Sequence, residues 1–235
     1  MEATLSGLTT LTLALLQLPG AQGPQLTASQ WLVKLWEDGG WMMWPLGASA
    51  LIGVIIIIWK LIDLTVKGAR TKRVLAAVDE KLAARDIPGA IEVARDSNTP
   101  AGRILLAGLE RADEGTERVM KAIENVGLIE MAGLESGLVW LATVANVAPL
   151  MGFLGTVIGM IQAFNSIEMA GEVEATLVAG GIKVALITTA AGLTIAIPVN
   201  IMHNYFVTKV DRLVLDMEES AQKTVDVLRE MGVGT

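Results

Sequence analysis

The chain has 235 residues, 52% of them hydrophobic and 18% charged, with 18 Lys and Arg against 25 Asp and Glu and a formal net charge of −7. A mean hydropathy of +0.53, with charge gathered into a few blocks, is too apolar for an ordinary soluble domain, so the expected class is membrane protein. The acidic balance argues against a nucleic-acid surface. The lack of cysteine and the single His203 leave little for thiolate, imidazole or metal chemistry, so no cofactor, metal site or enzymatic activity is expected.

Residues 1–28 read as a leader. Leu11 to Leu18 followed by Pro19, Gly20, Ala21, Gln22 and Gly23 resembles a signal-peptide core with a small-residue cleavage site. No Lys or Arg precedes that core, and the alternative is a disordered or surface-lying leader. Residues 29–41 follow as an interfacial helix. Trp31, Trp36, Trp41 and Trp44, beside Lys34, Glu37 and Asp38, place indoles at headgroup level.

The first span is predicted over residues 42–65. Met42 to Trp59 carries no charge, and Trp59 with Lys60 marks its far interface. Lys60, Lys67, Arg70, Lys72 and Arg73 crowd that exit, so the positive-inside rule makes it cytoplasmic. Residues 66–133 are then an extended cytoplasmic helical region. Apolar residues recur there at helical spacing, and Pro88 and Pro100 sit at helix starts, behind the capping candidates Asp86 and Thr99. A helix from about Thr116 is expected to run directly into the second span.

That span, 134–167, includes Ser136 to Ile167 without Asp, Glu, Lys, Arg or His. Residues 168–176 form an outer, periplasmic connector rich in Glu, and Lys183 is expected to pair there with Glu168, Glu172 or Glu174. The third span, 177–208, leads into a cytoplasmic amphipathic helix over 209–235, with apolar residues at Val210, Leu213, Met217, Ala221, Val225 and Leu228. The fold class is thus all-α, a polytopic membrane protein with three transmembrane helices.

Small and hydroxyl residues crowd the second and third spans. Gly152, Gly155, Gly159 and Gly192 allow close helix approach, which lipid gives larger apolar side chains no reason to make. Pro149 and Pro198 each remove a backbone donor and are expected to bend or loosen their helices near Ala145 and Thr194. Thr156, Thr188 and Thr189 have two readings. Their hydroxyls either bond back to their own helices or line a polar seam, since Thr156 and Thr189 lie at similar depth. Asp63 stands at the cytoplasmic end of the first span and Glu135 at the cytoplasmic start of the second, and no Asp or Glu lies deeper in any of the three, so a proton route here needs a titratable group from another chain.

The runs LESGLVWLATVANVAPLMGFLGTVIGM, Leu134 to Met160, and GIKVALITTAAGLTIAIPVNIMHN, Gly181 to Asn204, resemble the two signature spans of the MotA/TolQ/ExbB proton-channel family, nearest its ExbB and TolQ branch. The resemblance covers residues 42 to 230. It implies a homopentamer in a bacterial inner membrane, with periplasmic N-terminus and cytoplasmic C-terminus, around two copies of a single-span ExbD-like or TolR-like protein. The partner's transmembrane Asp would carry the ion past Thr156 and Thr189. A TonB-like or TolA-like envelope protein would receive the work. Val184 stands where the family often has Glu, and Gly180 where a Pro is usual, so the resemblance leaves proton and sodium both open. The competing reading is a self-contained channel or transporter subunit. Against it, the spans carry no internal repeat and no broken helix pair around a midplane site.

Overall fold

The computed structural model describes residues 27–232, and the leader reading for residues 1–26 lies outside the described residues. Among the described residues the chain is all-helical. The helices are α1 (Ala28–Asp38), α2 (Met43–Ala83), α3 (Ile87–Asp96), α4 (Pro100–Leu109), α5 (Thr116–Glu135), α6 (Leu138–Ala170) and α7 (Ala175–Glu230), with a 3-10 turn at Ala112–Glu114. Three stretches are long and apolar enough to cross a membrane: Met43–Ala83, Thr116–Ala170 and Val178–Glu230.

Sequence chemistry explains most of the boundaries. Between α1 and α2 the chain turns at Gly39 and Gly40, where Gly40 takes φ +70°, and the Trp36 and Trp44 rings meet edge-on at 5.7 Å across the turn. Helix α3 is capped by Asp86, whose Oδ1 accepts from the Gly89 backbone N–H at 2.9 Å. That bond holds the Asp86 carboxyl below the usual carboxylate range. Thr99 caps α4 in the same way, accepting from Gly102 at 3.1 Å. Arg103 then joins α4 to α5 by a forked pair with Glu130, at 2.5 and 2.6 Å.

Helix α7 runs without a break for 56 residues, about 84 Å. Its N-terminal half packs on α6 and its C-terminal half on α2, α4 and α5. There Val78, Leu82, Leu105, Leu109, Val119, Val210, Met217 and Leu228 share one buried core. The apolar hairpin and the C-terminal helical core are therefore strung on a single rod.

Two expectations are corrected. The helix from Thr116 does not pass directly into the second span: it stops at Glu135, Ser136 is extended, and Gly137 takes φ +88° before α6 begins. A conformation with positive φ suits glycine, and a Cβ at Gly137 would stand 3.0 Å from the Trp59 ring. Lys183 does not pair with the connector glutamates. Its Nζ lies 2.5 Å from Asp38 Oδ2, because the end of α1 folds back over the N-terminal end of α7.

Candidate functional site

Helices α6 and α7 form a hairpin whose contact seam consists of the smallest residues in either span. An added Cβ at Gly152 would approach the Thr188 carbonyl oxygen to 2.9 Å, one at Gly159 the Gly181 carbonyl oxygen to 2.8 Å, and one at Gly192 the Ala148 carbonyl oxygen to 2.6 Å. The backbones are in contact along this line. Gly155 faces Thr188, whose hydroxyl fills the space a side chain there would need. Pro149 and Pro198 lie inside α6 and α7, each deleting one donor from a helix that otherwise continues through it.

The three threonines divide into two kinds. Thr188 is wholly buried in the seam, and its hydroxyl donates to the Val184 and Ala185 carbonyls at 3.1 and 2.9 Å. It packs the hairpin and offers no surface to an ion, which separates it from the pair with which it was grouped by sequence. Thr189, one residue or about 100° further round the helix, is half-buried. Its Oγ1 lies 3.2 Å from the Ala185 carbonyl and 3.3 Å from that of Gly152 across the seam. Thr156 is half-buried one turn along α6 from Gly152, donating to the Phe153 carbonyl at 2.6 Å. Each hydroxyl donates its proton to a carbonyl and keeps lone pairs for an acid or a cation. Val184 is half-buried beside Gly40, against the turn between α1 and α2.

Lys60, an interface marker by its place in the sequence, has a different position in the folded chain. Its side chain is fully buried, and its ammonium donates to the Leu134 and Ser136 carbonyls, both at 2.7 Å, with Asp63 at 4.0 Å. The break between α5 and α6 leaves carbonyls without helical donors, and a cation at a helix C-terminus also meets the favourable end of the helix dipole. The signal available in sequence was Ser136-Gly137 interrupting a helical pattern. Nothing in the sequence linked it to residue 60.

Comparison with known proteins places these elements. Residues 96–219 match the MotA/TolQ/ExbB proton channel family. The chain belongs to that family. An ExbB homolog of Methanothermobacter thermautotrophicus is 29% identical over 184 residues, 77% of this chain and 64% of the relative. The biopolymer transport protein ExbB-like 1 of Synechocystis sp. is 35% identical over 180 residues, 73% of this chain and 69% of the relative. The Tol-Pal system protein TolQ of Haemophilus influenzae is 35% identical over 121 residues, 52% of each. The chain thus spans about two thirds or less of these relatives' own lengths. The MotA/TolQ/ExbB match takes in both threonines and the whole glycine seam, whereas Lys60 and the first span lie outside it.

Proposed function

We propose that this chain is the ExbB-like or TolQ-like stator subunit of an ion-driven motor in a bacterial inner membrane, with its N-terminus periplasmic and its C-terminus cytoplasmic. Five copies surround two copies of a single-span ExbD-like or TolR-like partner. Ion flow, by protons or sodium, is turned into work on a TonB-like or TolA-like envelope protein.

The observation carrying this reading is the placement of two half-buried hydroxyls, Thr156 and Thr189, within about one turn of each other beside a seam lined by backbone, with no carboxylate of this chain's spans at that depth. A protonated partner carboxyl arriving there can donate to the lone pairs of either Oγ1. Once ionised, it needs a donor, and a threonine that rotates its proton from a helix carbonyl to the carboxylate supplies one. The two states of the partner acid would thus be served by one small rotation. The membrane potential contributes about 2.3 kcal/mol per charge per 100 mV, which suffices to bias such a two-state step.

Thr156→Val and Thr189→Val test the reading, since valine keeps the β-branched shape and removes the oxygen. Each should lower partner-driven ion flux by roughly 10-fold to 100-fold, the worth of a hydrogen bond to a charged group, while oligomer mass stays unchanged. Flux measured with the proton and sodium gradients collapsed separately identifies the ion. Full flux in both variants would refute the site.

A further inference from the structure

A cleft of about 590 Å³ opens between α2 and α7 where both predicted spans end. Leu64 and Leu213 form its buried floor, beside Gly68, where an added Cβ would make an ordinary contact with Leu213 at 3.5 Å. Three cations stand around the apolar floor: Lys72 from α2, and Lys209 and Arg212 from α7. Lys209 lies over the half-exposed Tyr205 ring, 5.7 Å from its centre. Lys72 and Arg212 are exposed and take part in none of the ion pairs among the described residues, unlike nearby Lys67, which bonds Asp63 at 2.9 Å. The acidic group in the cleft is Asp216, one turn inward of Arg212.

We propose that this cleft is a binding site for the headgroup of an anionic phospholipid. Three arguments converge. Lys209 and Arg212 lie within about 6 Å of the predicted end of the third span, the depth of a headgroup layer. The charge in the cleft is three cations against one carboxylate, complementary to a phosphodiester, and basic pockets between helices on the cytoplasmic side suit such groups. The floor between Leu64, Tyr205 and Leu213 is apolar and continues toward the bilayer, where acyl chains can lie against it. A neighbouring copy of this chain would instead have to bring carboxylates to Lys72 and Arg212, since burying them unpaired is costly. The inference requires only that α2 and α7 cross the membrane, and it stands or falls apart from the motor reading.

The test uses the full chain purified in detergent, with its thermal unfolding midpoint followed as phosphatidylglycerol, phosphatidylcholine or inorganic phosphate is added. Phosphatidylglycerol should raise the midpoint and phosphatidylcholine should not. The Lys72→Gln/Arg212→Gln double variant should need about 25-fold more phosphatidylglycerol for half the shift, roughly fivefold per surface cation. A control with the same net charge, Arg111→Gln/Lys121→Gln elsewhere on the cytoplasmic surface, should titrate like the native chain. Asp216→Asn should bind several-fold more tightly, which keeps the site testable should the double variant fold poorly. Equal shifts with phosphatidylcholine, equal losses in the control, or an unchanged midpoint in native chain and Asp216→Asn alike would overturn the proposal. Inorganic phosphate alone giving the full shift would replace the lipid with a free anion and overturn it too.

Discussion

A lysine at the end of an apolar span is ordinarily assigned to the headgroup layer, and Lys60 beside Trp59 fits that rule in sequence. In the folded chain its ammonium is turned inward to two carbonyls, and it sits 5.5 Å from the centre of the Trp59 ring. What decides between the two fates is a helix end 74 residues away, and no local pattern reports that. The threonines teach a related point. Their type and depth were readable, but whether a hydroxyl faces the seam or its edge depends on a 100° step between Thr188 and Thr189, and only the packed hairpin resolves it. Lys60→Met keeps the apolar stem and removes the donors, leaving the Leu134 and Ser136 carbonyls unpaired. With about 1–3 kcal/mol lost per unsatisfied buried group, the unfolding midpoint should drop by roughly 5 °C or more. An unchanged midpoint would mean that water replaces the ammonium.

At the scale of the helices, the readable features were those that lipid imposes. Uncharged length marked the second and third spans, and glycine spacing marked their contact, because both follow from burying backbone in hydrocarbon and bringing helices close. The break at Ser136 and Gly137 is not legible in the sequence, since the apolar pattern runs through it and one glycine weakens a helix by only about 1 kcal/mol. The seam itself allows a sharp test. At Gly155 a Cβ would fall 2.3 Å from Thr188 Oγ1, so Gly155→Ala must push the hairpin apart, whereas Gly127→Ala and Gly133→Ala meet nothing within 4 Å. We expect the first to reduce the yield of folded protein from membranes several-fold and the other two to be silent. Thr188→Gly should partly rescue Gly155→Ala, since coupled neighbours depart from additivity. Additive losses in the double variant would indicate that the two residues do not share a packing site.

For the molecule as a whole, the surface that remains apolar after folding shows where neighbours are needed. In the spans, exposed Leu150, Phe153, Leu154 and Val157 can meet lipid or protein equally well. Helix α5 admits no such ambiguity. It carries Glu117, Arg118, Lys121, Glu124 and Glu130 and belongs to the region predicted to lie in the cytoplasm, yet Met120, Leu128 and Ile129 are 56%, 63% and 69% exposed. Leu128 also borders an apolar cleft of about 240 Å³ between α5 and α7, lined in part by Ile123, Met131 and Met217. Such a patch in water is unfavourable alone and marks a protein contact. A symmetric ring, in which each α5 covers part of the next protomer, would bury it five times over. The patch calls for a neighbouring copy, and with the pentamer proposed above we predict that the detergent-solubilised chain has a native mass of five 24.9 kDa copies. Leu128→Glu/Ile129→Glu, which places two charges in the patch, should shift that mass toward monomer without loss of helix content. A pentamer that survives both substitutions would move the subunit contact into the membrane spans, and a native chain that runs as monomer or dimer would remove the ring from the mechanism.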